Sequence, residues 1–199
     1  QTCLRGLTQR SSKSLIATSC ACSACGPGTF SNTTGRQSCT LCPSSMYNDD
    51  KLGTTCKSCI RGYYSASAGS TKCQPCNPGT FSNVNGSRSC NDCPPSTFND
   101  DKGSTTCVKC NIGKISTKYG STSCQNCPAG KIELASNSNT CLECPQGWQR
   151  AEDENATACI QCKQGETTVA TGATTCAKCD FGQFGLAKGV CAECRGVGE

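Results

Sequence analysis

Residues 25–42 read Cys25-Gly-Pro-Gly-Thr-Phe-Ser-Asn-Thr-Thr-Gly-Arg-Gln-Ser-Cys39-Thr-Leu-Cys42, and the whole chain is built on this pattern. The stretch opens at a cysteine, passes a glycine and an aromatic residue, crosses a polar segment with a second glycine, and closes on Cys-x-x-Cys. A short strand, a turn rich in Gly and Asn and a return to cysteine predict a small irregular β-hairpin. Glycine at the two fixed positions supplies a positive φ or lets backbone pass close to a disulfide.

The same pattern recurs along the chain. Seven successive steps between Cys-x-x-Cys pairs are 17 residues, and steps of 18, 17 and 15 follow. A longer period of 51 is superimposed, because residues 25–75 and 76–126 are identical at 28 of 51 positions. A fixed period indicates a tandem array in which each unit contacts mainly its neighbours. The eleven pairs begin at Cys22, Cys39, Cys56, Cys73, Cys90, Cys107, Cys124, Cys141, Cys159, Cys176 and Cys191.

The repeats divide the chain into five segments. We expect an N-terminal cap module at 1–24, repeat block 1 at 25–75, repeat block 2 at 76–126, a diverged repeat block 3 at 127–178, and a C-terminal module and tail at 179–199.

Composition excludes a conventional core. Cysteine supplies 24 of the 199 residues, and Leu, Ile, Val and Phe together supply only another 24. Burying so little apolar surface cannot offset the conformational entropy of folding. We therefore expect a small disulfide-rich fold, an elongated tandem array of short irregular β-hairpin modules.

Disulfides and zinc are the two candidate staples. Cys-x2-Cys-x13-Cys-x2-Cys is close to zinc-ribbon spacing. Four cysteines per zinc would leave one of the eleven pairs without a mate, and no histidine is available as a ligand. Disulfides formed in an oxidising compartment are the favoured interpretation, with no metal and no cofactor.

Sequence does not fix the connectivity, but hairpin geometry favours one scheme. The second cysteine of each Cys-x-x-Cys would pair with the first cysteine of the next, and each such loop contributes roughly 3 kcal/mol in the chain-entropy model. The expected pairs are Cys25–Cys39, Cys42–Cys56, Cys59–Cys73, Cys76–Cys90, Cys93–Cys107, Cys110–Cys124, Cys127–Cys141, Cys144–Cys159, Cys162–Cys176 and Cys179–Cys191.

Four cysteines remain: Cys3, Cys20, Cys22 and Cys194. We expect Cys3 to pair with Cys20, with Cys3–Cys22 as the rival. That leaves Cys22 and Cys194 for an intermolecular disulfide linking subunits head to tail, and heterologous contacts of this kind make open filaments when they do not close into rings. The alternatives are a pairing within the N-terminal region, or a chain cut from a longer repeat protein.

Three sequons predict N-glycosylation, at Asn32, Asn85 and Asn155. All three fall in the polar middle of a hairpin unit, which suits attachment of glycans. Asn48-Asp49-Asp50 and Asn99-Asp100-Asp101 offer carboxylates of the kind that calcium binds, but hairpin tips favour the same residues, and we interpret both as turns.

Charge and residue usage argue against several function classes. The net charge of +5 is spread over 19 basic and 14 acidic residues without a basic run, so we expect no nucleic-acid partner. No apolar stretch approaches the roughly 18 residues of a membrane span, so we expect no membrane insertion. With no histidine and no visible acid–base pair or activated nucleophile, we expect no enzyme activity.

The repeat resembles the ephrin-receptor-like cysteine-rich repeat, C-x-x-C-P-x-G-x-[FY]…G…C-x-x-C. Cys127-Pro-Ala-Gly130, Cys144-Pro-Gln-Gly147 and Cys76-Asn-Pro-Gly-Thr-Phe81 are close matches. The single-disulfide loop that opens tumour necrosis factor receptor cysteine-rich domains is similar too, and it implies the hairpin pairing given above. The likeness extends over about residues 20–195, and it indicates a fold more than a function, because such repeats occur in receptors, stalks and surface coats.

These features predict a secreted, extracellular structural protein at the cell surface, a glycosylated subunit of a coat, sheath or filament. We expect it to self-associate as a head-to-tail homopolymer or to bind other surface proteins. The alternative is a ligand-binding receptor or adhesion ectodomain or stalk. The regular loops and the 51-residue duplication favour the structural role.

Overall fold

The computed structural model describes residues 3–11, 20–133, 139–152, 157–186 and 189–193. These residues form 22 strands that pair as eleven two-stranded antiparallel hairpins, and no helix occurs among them. The predicted tandem array of disulfide-rich hairpins is confirmed. The strands are β1 Leu7–Ser11, β2 Cys20–Ala24, β3 Thr29–Phe30, β4 Thr40–Leu41, β5 Met46–Tyr47, β6 Lys57–Ser58, β7 Tyr63–Tyr64, β8 Gln74–Pro75, β9 Thr80–Phe81, β10 Asn91–Asp92, β11 Thr97–Phe98, β12 Val108–Lys109, β13 Lys114–Ile115, β14 Gln125–Asn126, β15 Lys131–Ile132, β16 Leu142–Glu143, β17 Trp148–Gln149, β18 Ile160–Gln161, β19 Glu166–Thr167, β20 Ala177–Lys178, β21 Gln183–Leu186 and β22 Val190–Glu193.

A tight turn at the first glycine of the repeat precedes the first strand of each hairpin. Before β3, the Thr29 N–H donates to Gly26 O at 3.1 Å, and Gly28 has a φ of 79°. Ser45 and Ser96 occupy the same place in two other hairpins and keep a positive φ, of 73° and 69°. The turn therefore imposes a left-handed backbone whichever residue stands there, and glycine is the unstrained choice.

One disulfide closes each hairpin. All eleven have Cα atoms 5.6–5.8 Å apart, within the ordinary range for disulfides. A cysteine held in a disulfide has no thiolate to give to zinc. Ten of the disulfides join the residues expected from the spacing: Cys25–Cys39, Cys42–Cys56, Cys59–Cys73, Cys76–Cys90, Cys93–Cys107, Cys110–Cys124, Cys127–Cys141, Cys144–Cys159, Cys162–Cys176 and Cys179–Cys191.

The eleventh disulfide corrects one expected pairing. Cys3 pairs with Cys22 and not with Cys20. Cys20 lies opposite Ser11, at the tip end of the β1–β2 hairpin, whereas Cys22 is two strand residues nearer the base from which Cys3 approaches. At about 3.3 Å per strand residue, this difference of two residues places Cys20 too far from Cys3 to form a disulfide with it. Cys22 is also the first cysteine of its Cys-x-x-Cys pair, so this disulfide follows the same rule as the other ten.

The expected intermolecular link between Cys22 and Cys194 is wrong at its Cys22 end. The Cys22 sulfur is already bonded within its own chain. Cys194 lies outside the described residues.

Cysteine takes the place of an apolar core. The second cysteine of each Cys-x-x-Cys, from Cys25 through Cys162, is at most 7% exposed, whereas the first cysteine of each pair from Cys39 onward is half-buried. Cys3 is buried as well, and Ile132 is the one buried apolar side chain among the described residues that is not a cysteine.

A second buried column lies beside the cysteines. It consists of the residue that follows the aromatic position of the repeat, and none of its members is more than 5% exposed. Buried polar groups form hydrogen bonds. The larger side chains of the column, such as Asn48, Asn99 and Arg150, bond to a neighbouring hairpin, whereas its serine hydroxyls bond within their own hairpin. Its members are Ser31, Asn48, Ser65, Ser82, Asn99, Ser116, Glu133, Arg150 and Thr168.

The chain divides into two compact units, the first comprising Gln1–Cys93 and Asn99–Cys107 and the second comprising Pro94–Phe98 and Val108–Glu199. In the first unit the Gly28 N–H donates to Asn48 O of the next hairpin at 2.7 Å. Two hairpins further on, Gly69 O lies so close to Gly28 that a Cβ there would stand 2.2 Å from it. Each hairpin thus contacts the next hairpin and the next but one.

The second unit uses the same contacts. The Gly130 N–H donates to Arg150 O at 2.8 Å, and the Gly172 N–H donates to Cys144 O at 2.8 Å. A Cβ on Gly130 would stand 2.0 Å from Gly172 O. Stacking within both units therefore depends on glycines that let backbone meet backbone.

Candidate functional site

The predicted glycosylation sites differ in their surroundings. Asn32 is exposed, and so is the Thr34 of its sequon. Asn85 is also exposed, but its Oδ1 accepts a hydrogen bond from the Arg61 N–H at 3.0 Å. The Ser87 hydroxyl of the same sequon is buried. Asn155 lies outside the described residues.

The two acidic hairpin tips act as turns. Asn48 Nδ2 donates to Thr29 O at 2.6 Å, and Asn48 Oδ1 accepts from the Asp50 N–H at 3.1 Å. Asn99 makes the equivalent pair of bonds in the second repeat block, to Thr80 O at 2.9 Å and from the Asp101 N–H at 3.0 Å. Each asparagine folds its own tip and fastens that tip to the preceding hairpin.

A surface ion-pair cluster surrounds the first tip. The Lys57 Nζ lies 2.6 Å from an Asp49 oxygen and 3.2 Å from an Asp50 oxygen. Hydrogen bonds to Asp49 and then Asp50 raise the pKa of Lys57 to about 12, and the hydrogen bond from Lys57 lowers the pKa of Asp49. The Lys57 Nζ also lies 6.0 Å from the centre of the Tyr47 ring.

Glu143 takes part in a comparable group of surface contacts in the second unit. It accepts a hydrogen bond from the Thr171 hydroxyl at 2.5 Å and lies 3.4 Å from the Lys131 Nζ. The Thr171 hydrogen bond and then Lys131 lower the pKa of Glu143. Since Glu143 and Thr171 belong to different hairpins, this contact joins hairpins as the polar column does.

The polar column contains two fully buried residues of charged type. Arg150 is 1% exposed, and its guanidinium donates to Lys131 O and to Cys127 O, each at 2.6 Å, as well as to Pro128 O. Glu133 is also 1% exposed, and its Oε2 accepts from the Gly113 N–H at 2.9 Å. Its Oε1 is buried and has no hydrogen-bond partner among the residues that the structure describes.

Sequence reasoning missed this column. Its signal was present, because the residue after the aromatic position is polar in repeat after repeat. In sequence this residue is indistinguishable from the polar middle of the hairpin, where Ser and Asn normally face solvent.

A cleft opens on the surface of the first unit. Tyr47, Ile60, Tyr63, Lys72 and Cys73 line it, and its volume is about 250 Å³. Ile60 is 65% exposed, and the two tyrosines are half-buried. The lining is mainly apolar, with the Lys72 ammonium as its charged group.

No helix among the described residues is long and apolar enough to cross a membrane. A comparison with curated proteins finds no significant match.

A family model described as tyrosine-protein kinase ephrin type A/B receptor-like matches residues 50–93 and, overlapping them, residues 62–106. The matched stretch contains the Cys59–Cys73 and Cys76–Cys90 hairpins, with their turn glycines and buried second cysteines. The same hairpin, closed by the same kind of disulfide, recurs on both sides of this stretch. Tandem hairpins of this type, with one disulfide each, indicate an extracellular repeat protein. Residues 50–106 thus match ephrin-receptor-like cysteine-rich repeats, and the same kind of disulfide-closed hairpin recurs in tandem along the described residues.

Proposed function

We propose that this extracellular repeat protein is structural, a secreted and glycosylated subunit of a cell-surface coat, sheath or filament. The observation that carries the proposal is the bonding of each hairpin to the next and the next but one within each unit. Gly62 shows both contacts, since its N–H donates to Ser82 O at 2.8 Å and a Cβ on it would stand 2.0 Å from Gly103 O. With a disulfide in every hairpin, such stacking suits a load-bearing element. Catalysis, nucleic-acid binding and membrane insertion are not part of the proposal.

The proposal includes self-association or binding to other surface proteins. Because Cys22 is bonded to Cys3, the proposal includes no disulfide between subunits through Cys22. The test is sedimentation velocity of the purified oxidised protein over a wide concentration range, together with antibody labelling of intact cells. Concentration-dependent growth into oligomers and labelling of unpermeabilised cells are expected. A protein that stays monomeric at every concentration would favour the receptor or adhesion ectodomain instead.

Glycans are the second part of the proposal, with Asn32 as the leading site because its whole sequon is exposed. Treatment with peptide-N-glycosidase converts a glycosylated Asn to Asp, and peptide mass spectrometry then identifies the position. We expect conversion at Asn32 in native material and no conversion there in the Asn32→Gln variant. An unmodified Asn32 in native protein would contradict this part of the proposal.

A further inference from the structure

Phe181 is the most exposed large apolar side chain among the described residues. Its exposure is 108% of the reference value, and it follows the exposed Asp180 in the turn before β21. The Gln183 N–H donates to Asp180 O at 3.0 Å, which fixes this turn. A single exposed apolar residue is common on protein surfaces. Phe181 stands out because the same chain carries a cleft that suits it.

The cleft of Tyr47, Ile60, Tyr63, Lys72 and Cys73 is specific to repeat block 1. Its non-cysteine residues correspond in block 2 to Phe98, Asn111, Lys114 and Ser123. The duplicated hairpins therefore fold with Asn, Lys and Ser where block 1 has Ile60, Tyr63 and Lys72. Since the scaffold does not require these three side chains, they are free to serve a contact.

We propose that Phe181 of one copy inserts into this cleft on a second copy, with Asp180 against Lys72. The inference rests on the proposed self-association and names its contact. A cavity of about 150 Å³ holds a benzene ring, so a cleft of about 250 Å³ accommodates a phenyl group. The Tyr47 and Tyr63 rings supply aromatic faces, and aromatic pairs attract one another beyond their buried area.

The charges of Asp180 and Lys72 also favour a second copy of the chain as the partner. Asp180 and Lys72 form no ion pair within the part of the chain that the structure describes. Lys57, which lies 6.0 Å from the centre of the Tyr47 ring, already pairs with Asp49 and Asp50. Lys72 is therefore the cation at the cleft that remains for an incoming carboxylate. Phe181 and Asp180 are adjacent in sequence, so one short segment brings both the ring and the carboxylate.

The contact joins two different surfaces of the chain, and each copy has one of each. A heterologous contact of this type continues from copy to copy unless the rotation closes a ring. It would thus build the filament or sheath without any intermolecular disulfide.

The test uses two oxidised full-length variants, each lacking one side of the contact. Phe181→Ser removes the inserted side chain, and Tyr63→Lys fills the cleft with the residue that Lys114 already provides in the paired strand of block 2. Each variant alone is expected to self-associate at least about tenfold more weakly than the wild type in sedimentation velocity. Mixed together, they are expected to form a one-to-one complex that grows no further, because only one intact cleft and one intact Phe181 remain.

Two further variants keep the result specific. Val169→Ser removes another strongly exposed apolar side chain, 90% exposed, and should leave self-association unchanged. Lys72→Glu and Asp180→Lys should each weaken self-association. When the two charge-reversed chains are mixed, growth into oligomers of alternating subunits should return, because the wild-type pair and the reversed pair are both complementary in charge.

The outcomes separate this contact from the wider proposal. Wild-type association that survives both Phe181→Ser and Tyr63→Lys overturns the inference and leaves the structural role standing. A mixture that stays monomeric while the wild type associates also overturns it. A wild type that never associates overturns the inference and removes the support for a self-assembling coat.

Discussion

Ser45 holds a backbone conformation that its own side chain disfavours. Its φ is 73°, at the position where Gly28, Gly62 and Gly79 stand in neighbouring hairpins. A residue with a Cβ pays roughly 1–2 kcal/mol in the left-handed region, partly offset because glycine is more flexible in the unfolded chain. We expect Ser45→Gly to stabilise its hairpin by about 1 kcal/mol. Hydrogen exchange of the Cys59 amide, which donates to Ser45 O at 3.0 Å, measures the gain before and after the change.

The matched substitution, Gly62→Ala, should lower the stability of the protein, whereas Ser45→Gly should raise it. A Cβ on Gly62 would stand 2.0 Å from Gly103 O, a backbone atom that cannot move aside without shifting its hairpin. Gly62→Ala is expected to cost more than Ser45→Gly gains. A stable Gly62→Ala protein, or a destabilised Ser45→Gly protein, would contradict the assignment of this position as an obligatory left-handed turn.

The ion pairs of Lys57 with Asp49 and Asp50 predict how the stability of this hairpin tip depends on pH. The pKa of Asp49 is lowered, so its contribution to stability is present above its ordinary pKa and is lost as the pH falls. The pKa of Lys57 is raised to about 12, so its contribution is present below its ordinary pKa and is lost as the pH rises through about 12. We expect Lys57→Met to return the pKa of Asp49 towards its ordinary value, as measured by carboxyl carbon NMR. An unchanged Asp49 titration would show that the ion pair is not formed in solution.

Among the elements of the array, the hairpin that contains Arg150 uses this one side chain for several hydrogen bonds to a neighbouring hairpin. The guanidinium satisfies carbonyls of Cys127, Pro128 and Lys131 from a position that is 1% exposed. Arg150→Met keeps an unbranched side chain and removes every donor, so the Cys127 and Lys131 carbonyls lose the guanidinium, whereas Pro128 O keeps its bond from the Lys131 N–H. We expect a local loss of about 3 kcal/mol.

Hydrogen exchange of the Gly130 amide, which donates to Arg150 O, reports this loss. A local measurement is needed because a repeat array does not unfold in one step. Arg36→Met is the control, since Arg36 is exposed and its guanidinium donates to the Thr33 and Thr40 hydroxyls. Equal effects of the two variants would show that Arg150 is not a structural residue.

Local sequence signals predicted the hairpin itself. The turn at Gly28, the closing disulfide and the strand at Phe30 all lie within one repeat, so composition and spacing were sufficient to predict them. The Cys3 pairing was predicted wrongly, because the choice between Cys20 and Cys22 depends on the register of the long β1–β2 hairpin.

Features made by more than one hairpin were not predictable in the same way. The buried column is polar in sequence and becomes internal only when hairpins stack, as Asn48 does on Thr29. The cleft gathers Tyr47 and Lys72 from different hairpins, and nothing in a single repeat indicates that they meet. Comparing the two 51-residue copies position by position gives a partial signal, since Ile60 and Tyr63 interrupt the duplication.

For the molecule as a whole, we ask whether the loss of one disulfide destabilises only its own hairpin or its neighbours as well. The Cys76–Cys90 disulfide closes a loop of the length for which the chain-entropy model gives about 3 kcal/mol. Cys76 is fully buried, its N–H donates to Gly62 O, and its O accepts from the Gly103 N–H, each at 2.8 Å. The hairpin is therefore bonded to a neighbour on each side.

Replacing both cysteines by alanine in Cys76→Ala/Cys90→Ala should weaken three hairpins and leave the remote ones intact. We expect faster hydrogen exchange at the Cys76 and Gly103 amides, because the carbonyl partner or the donor of each belongs to the loosened hairpin. The Gly35 amide, which donates to Cys3 O in the same unit, should keep its protection. Loss at Gly35 as well would mean that the unit unfolds as one body. Faster exchange at Cys76 with Gly103 unchanged would mean that the hairpins are independent, and the stacking bonds would then carry no load between them.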